Sequence, residues 1–253
     1  MFELTSHEGL GLAMTVPSLL FPASVLFFAY LVRGVAGFGS ALIAVPLLAL
    51  TLPLTIVVPL VVLLDYLGSA SQGMNNRECI QWKEIWPLLP FSLIGVAVSL
   101  YIMDSVKPEM LSVALGGFII LFAIYQLLPM KLGQASQVIS VPSGFFGGFV
   151  GTLFGTGGPF YVIYLNLRHL DKNSFRATFA TIFLIDGAMR LTGYAVKGFY
   201  TLEMLSYLAL AVPVAGLGLF FGGKIHTALG RDIFVRLISV LLLGSGTALL
   251  MKG

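Results

Sequence analysis

The sequence predicts an all-α, polytopic integral membrane protein. Three observations carry that prediction: how little charge the chain holds, where the charge is missing, and where glycines interrupt the apolar runs. Of 253 residues, 58% are hydrophobic and 10% charged, with a mean hydropathy of +0.98, against roughly 25% charged residues in a soluble domain. No Asp, Glu, Lys or Arg falls between Glu8 and Arg33, between Arg33 and Asp65, or within 85–103, 110–130, 132–167 and 204–223. A bilayer-spanning helix needs about 20 predominantly apolar residues, so these runs read as spans. The longest polar connections are about ten residues, which leaves no soluble domain.

The segments fall into two similar sets. "LVRGVAGFGSALIAVPLL" (31–48) resembles "FVGTLFGTGGPFYVIYL" (149–165), with Gly37 and Gly39 standing 118 positions before Gly155 and Gly157. Asp65 precedes Asp186 by 121, Gly95 precedes Gly216 by 121, and "KPEM" at 107–110 answers "GRDI" at 230–233. Two homologous halves are expected, 10–130 and 138–253, together forming one membrane domain. Each opens with an overlong apolar segment (16–50 and 138–167). Three ordinary ones follow: 54–75, 85–104 and 107–129, then 173–196, 203–223 and 231–251. At 1.5 Å per residue, 30 or more residues in one helix overshoot a hydrocarbon core of roughly 30 Å. The first segment of each half is therefore expected to break at its glycines.

Lys and Arg set the orientation. If each broken segment crosses once, the repeats are parallel and the cations, Arg33 and Arg190 aside, divide seven to five. If it returns to its own side, the repeats are inverted and the division is nine (77, 83, 131, 168, 172, 176, 224, 231, 236) to three (107, 197, 252). The inverted arrangement has the stronger bias and is favoured. Either arrangement puts the C-terminus outside the cytoplasm. The net charge of +3 sits at span ends and reads as topology, not as a nucleic-acid surface. Glu3 and Glu8, with no Lys or Arg before Arg33, lack the basic start of a cleaved signal peptide. The lone Cys79 excludes an internal disulfide and a Cys-rich metal site.

Breaking a helix in lipid exposes backbone N–H groups, at several kcal/mol each unless they are satisfied. A helix N-terminus favours negative charge. Gly37, Phe38, Gly39 and Ser40 in one half, and Gly155, Thr156, Gly157, Gly158 and Pro159 in the other, are thus candidates for a mid-membrane anion site. Pro159 suits the first turn of a new helix. For a single GxG, close helix packing explains as much. Embedded ionisable groups usually line a substrate or proton path. Asp186 and Arg190, four apart, share a helix face and can pair. Arg190, and with it Arg33, is a candidate counter-charge, and Asp65 or Asp186 a candidate proton-coupling carboxylate. Arg33 has an equal alternative as a helix-end cap. Ser69, Gln72 and Asn166 are weaker polar-path candidates. His169 with Arg168, Lys172 and Arg176 reads as a cytoplasmic loop. A protease built on "GFGS" lacks a membrane-depth histidine, because His7, His169 and His226 lie at or beyond the edges of the apolar segments.

"RGVAGFGSALIAVPLL" (33–48) and "GFVGTLFGTGGPFYVIYL" (148–165) resemble the glycine-rich stretches of the TauE/SafE sulfite exporter family. The four-segment halves they open cover nearly the whole chain. In that family a proline follows the glycines; Pro46 and Pro159 match, at different spacings. The resemblance implies a non-enzymatic exporter of sulfite or a small organosulfonate such as sulfoacetate, driven by an ion gradient in the bacterial inner membrane. The expected partners are the small anion, the bilayer and a coupling ion such as H+, with no nucleic acid and no cofactor. A homodimer is left open. An anion channel, an uptake permease for another small organic anion, and an intramembrane enzyme or assembly factor are the alternatives.

Overall fold

A computed structural model describes residues 16–36, 39–72, 77–127, 136–224 and 231–252, with the backbone alone at 16–18, 36, 70–72, 172 and 231–238. Among the described residues there are helices and turns and no strand. In chain order they are α1 (Val16–Ala36), α2 (Ser40–Leu48), α3 (Leu54–Gln72), the short α4 (Trp82–Ile85), α5 (Leu89–Ser105), α6 (Pro108–Leu127), α7 (Ser140–Phe154), α8 (Gly158–Leu167), α9 (Lys172–Val196), α10 (Leu202–Lys224) and α11 (Arg231–Lys252). Pro108–Leu127, Gln137–Phe154, Asn173–Val196 and Leu202–Lys224 are long and apolar enough to cross a membrane. Leu19–Val35, Leu54–Ser69, Leu89–Ser105 and Ser239–Lys252 are shorter apolar stretches.

Local chemistry explains where the helices begin and end. Gly39 (φ +98°) and Gly155 (φ +71°) take left-handed conformations open chiefly to glycine, and the chain leaves α1 before α2 and α7 before α8 at these turns. Pro159 sits in the first turn of α8, where its missing N–H costs no helical bond. The Asp171 carboxylate caps α9 by accepting from the amides of Asn173 and Ser174. Hydrogen bonds from the Ser174 side chain, then the Ser174 and Asn173 amides, hold its carboxyl below the ordinary aspartate value.

The path of the chain follows from bonds at the helix ends. On one face, the Gln137 side-chain amide donates to the Lys83 carbonyl (2.7 Å), while Tyr164 and Arg168 donate to the Glu84 carboxylate (2.7 and 2.9 Å). The Gln81 amide donates there to Thr178 Oγ1 (2.9 Å). The start of α7, the end of α8 and the start of α9 therefore all meet the α4 segment. The α7–α8 pair enters from this face and returns to it. At the opposite face, Lys197 after α9 pairs with Asp104 at the end of α5 (2.7 Å). α10, about 34 Å long at the helical rise, and then α11 bring the chain back to that face. There Lys252 donates to the carbonyl of Leu50, just past α2 (2.9 Å).

Packing is closest along α1·α10, α5·α7 and α6·α11, with α3 against α9 near the middle. Small residues make the first two approaches possible. A Cβ on Gly218 would stand 2.5 Å from the Phe27 carbonyl oxygen, and one on Gly144 would stand 2.5 Å from that of Leu88. Close backbone approach of this kind stands in for the hydrophobic drive that lipid cannot supply. Large apolar side chains such as Phe28, Tyr101, Leu121 and Leu217 point outward.

Candidate functional site

Two buried ion pairs lie about midway along α3 and α9. In the first, Asp65 on α3 pairs with Arg33 of α1 (2.8 Å). It also accepts hydrogen bonds from the Tyr30 hydroxyl and from Ser40 Oγ, both at 2.6 Å. Arg33 donates in addition to Ser40 Oγ (2.9 Å), the Asp65 carbonyl (3.0 Å) and Ser69 Oγ (2.7 Å). The guanidinium thus reaches across to α3 and α2 and does not serve as a cap on its own helix. Ser40, the first residue of α2, brings the break between α1 and α2 onto Asp65.

In the second pair, Arg190 donates to Asp186 one turn earlier on α9 and to the Gly147 carbonyl (3.3 Å). Asp186 accepts from Ser92 of α5, which is within hydrogen-bond distance of the Tyr161 hydroxyl (3.2 Å). Room for this guanidinium comes from glycine. A Cβ on Gly151 would run into Arg190 Cζ and both terminal nitrogens, and one on Gly157 would stand 2.7 Å from Arg190 Nη2. Gly158 and Thr156 are buried beside them.

The two clusters deliver a cation to the middle of the membrane by opposite routes. Arg33 comes from α1 and meets Ser69 on α3. Arg190 comes from α9 and meets Gly151 on α7. The charge lies on different helices, so matching the two glycine motifs residue by residue cannot pair the arginines.

Asp65 of one cluster and Arg190 of the other line the same crevice, with Val62, Tyr66, Gly155, Phe183 and Gly187. It holds about 10 Å3, room for about one water, so anything larger would need α3 and α9 to part. Donors in the two clusters and around the end of α7 remain open. Arg33 Nε, Arg190 Nε, Thr152 Oγ1 and Thr156 Oγ1 are buried with no hydrogen-bond partner among the described residues. An orphaned buried donor is costly, and an oxyanion is a ligand that would satisfy several at once.

The other sequence candidates divide. Gly39, Ser40, Gly155–Pro159, Arg33, Asp65, Asp186 and Arg190 belong to the described residues, whereas Gly37 and Phe38 lie outside them, as does the Gln72 side chain. Ser69 holds Arg33, and Asn166 is exposed. Arg168, read from sequence as part of a cytoplasmic loop, is engaged with Glu84, and that bonding raises its pKa. Sequence reasoning missed Tyr30, Ser92, Tyr161 and Glu84. Tyr30 had a signal, standing one helical turn before Arg33 on the same face. Glu84, only 1% exposed, had none, because a carboxylate at the edge of an apolar run looks solvated.

The profile of the family described as sulfite exporter TauE/SafE matches residues 23–249. The probable inner membrane transporter protein TsaS of Comamonas testosteroni is 25% identical over 198 residues, covering 75% of this chain and 81% of that protein. The probable sulfite/organosulfonate exporter TauE of Cupriavidus necator is 25% identical over 226 residues, covering 86% and 88%. No solved structure matches the chain. Both relatives are bacterial proteins named as a transporter and an exporter, and the long apolar helices of this chain agree with a membrane protein. With nine-tenths of its length under the family profile, the chain belongs to the TauE/SafE sulfite exporter family.

Proposed function

We propose that this protein is a secondary transporter that exports a small anion, sulfite or an organosulfonate. The anion binds at mid-depth between the helix breaks, and access alternates between the two membrane faces. One observation carries this: Arg190, the glycine turn at Gly155 and Asp65, itself paired with the buried Arg33, meet at one crevice, and both arginines keep an unpartnered Nε–H donor. Arg190 and Arg33 supply the counter-charge. Gly37–Ser40 and Gly155–Pro159 form the floor, and Asp65 or Asp186 handles the coupling ion. The substrate class comes from the exporter name of the Cupriavidus relative.

Two inverted halves, 10–130 and 138–253, would place this floor at their interface. The exchange of partners supports them: α1 lies on α10 as α7 lies on α5, while α3·α9 and α6·α11 pair across the halves. Phe27 and Leu31 meet Gly218 as Phe145 and Phe149 meet Gly95, so the counterpart of Gly95 is Gly218 and not Gly216. The face holding α4 and the ends of the α7–α8 hairpin also carries the nine-cation side, which makes it cytoplasmic and puts the C-terminus in the periplasm of the inner membrane.

Proteoliposomes loaded with labelled sulfonate should show counterflow that Gly157→Leu and Arg190→Ala abolish. Transport retained in both variants sinks the site. Flux that a pH gradient drives uphill separates this transporter from an anion channel, which carries only downhill current.

A further inference from the structure

The four charges of the two clusters, Arg33, Asp65, Asp186 and Arg190, sum to zero in a buried setting. An anion entering the crevice would leave one uncompensated negative charge at mid-membrane, which is strongly disfavoured. The cations described elsewhere do not line the crevice: Lys197 pairs with Asp104, Arg168 with Glu84, Lys252 with backbone carbonyls and Lys224 with the Phe220 ring, Arg77, Lys83 and Lys107 are exposed, and Arg176 lies in the second turn of α9. A positive co-ligand must therefore arrive with the anion.

The two carboxylates are not equivalent hosts for it. Asp186 is tied to Arg190 and Ser92 and does not line the crevice, whereas Asp65 does, opposite Arg190. Tyr30, Ser40 and Arg33 all bond to Asp65 Oδ1, so Oδ2 is left to take a proton. The titratable and charged groups around Asp65 are Tyr30 and Arg33 from α1, Arg190 from α9 and Tyr66 beside it on α3. α2 and α7 carry no charged residue. α6 holds only Glu109 and Tyr125, and α10 holds Glu203, Lys224 and Tyr207, with the charges at helix ends.

Resting on the anion site described above, we propose that the crevice binds an anion and a proton together, the proton going to Asp65 Oδ2. Protonation removes the negative charge facing the anion and loosens Arg33 from Asp65, so that the Arg33 guanidinium becomes available to the anion.

Ethanesulfonate is the probe, because it stays ionised throughout and its own titration cannot mimic the effect. Binding to the purified, detergent-solubilised protein should weaken as pH rises, by up to about tenfold per pH unit where one proton is taken up per anion. A pH dye in weakly buffered solution should record one proton taken up per ethanesulfonate bound. Asp65→Asn should bind ethanesulfonate with no pH slope and no proton uptake. The dye measurement on the native protein stands even if that variant does not fold. Binding that is independent of pH, or that needs Na+ and takes up no proton, overturns the coupling and leaves the anion site intact. No binding of ethanesulfonate or sulfite at any pH overturns both.

Discussion

Gly151→Ala is the sharpest probe of how the second arginine is held. The new methyl would overlap Arg190 Cζ, Nη1 and Nη2, well inside the carbon contact distance of about 3.5 Å. The guanidinium cannot simply swing aside, because Asp186 and the Gly147 carbonyl hold it and Gly157 packs on Nη2. Overpacking a tight site costs about 1–3 kcal/mol. Complete expulsion would leave Asp186 buried and unpaired, at about 3–5 kcal/mol. Taking the lower range, a chain of this size loses about 2–4 °C in Tm per kcal/mol. Thermal unfolding in detergent should then show a drop of about 2–12 °C, with transport lost. Arg190→Ala vacates the space that the methyl needs, so the double variant should be no less stable than Arg190→Ala alone. The coupling should amount to about 1 kcal/mol or more. A silent Gly151→Ala, or strictly additive losses, would falsify this account of the glycine.

Three further outcomes are expected. Glu84→Gln removes the charge that Arg168 and Tyr164 share, and thermal unfolding should show a loss of about 1–3 kcal/mol. An unchanged Tm would mean the bonds at α4 contribute nothing. Cys79 should resist a membrane-impermeant thiol reagent in intact cells and react in inside-out vesicles; labelling of intact cells refutes the inverted topology. Asp171, with its depressed pKa, contributes stability that is fully present above the ordinary aspartate value of about 3.9 and fades as pH falls through its lower folded value. Asp171→Asn keeps the cap oxygen and should flatten that acid-side loss in a melting series; an unaltered acid profile refutes the assignment.

Membrane class and helix positions were legible because they are local properties. Stretches without charge announce helices that lipid can surround, and Pro159 marks a helix start through a group in the same turn. The Asp186–Arg190 pair was legible for the same reason, since four residues on a helix bring two side chains together. Arg33 and Asp65 are 32 positions apart, and nothing between them states that α1 and α3 meet; only packing around Ser40 joins them. An offset counted along the chain likewise cannot see that α10 meets α1 at Gly218, whereas a Cβ on Gly216, the residue that offset matches to Gly95, would meet nothing.

For this protein the sequence by itself determined that the chain lives in lipid, roughly where it turns, and which residues are too costly to bury without purpose. The tertiary structure alone decided that those residues form two neutral pairs, and that Asp65 and Arg190 face one crevice. The physical reason is that hydropathy and helix ends depend on neighbours in the chain, whereas the neutralisation of a buried charge depends on whichever helix comes to lie beside it.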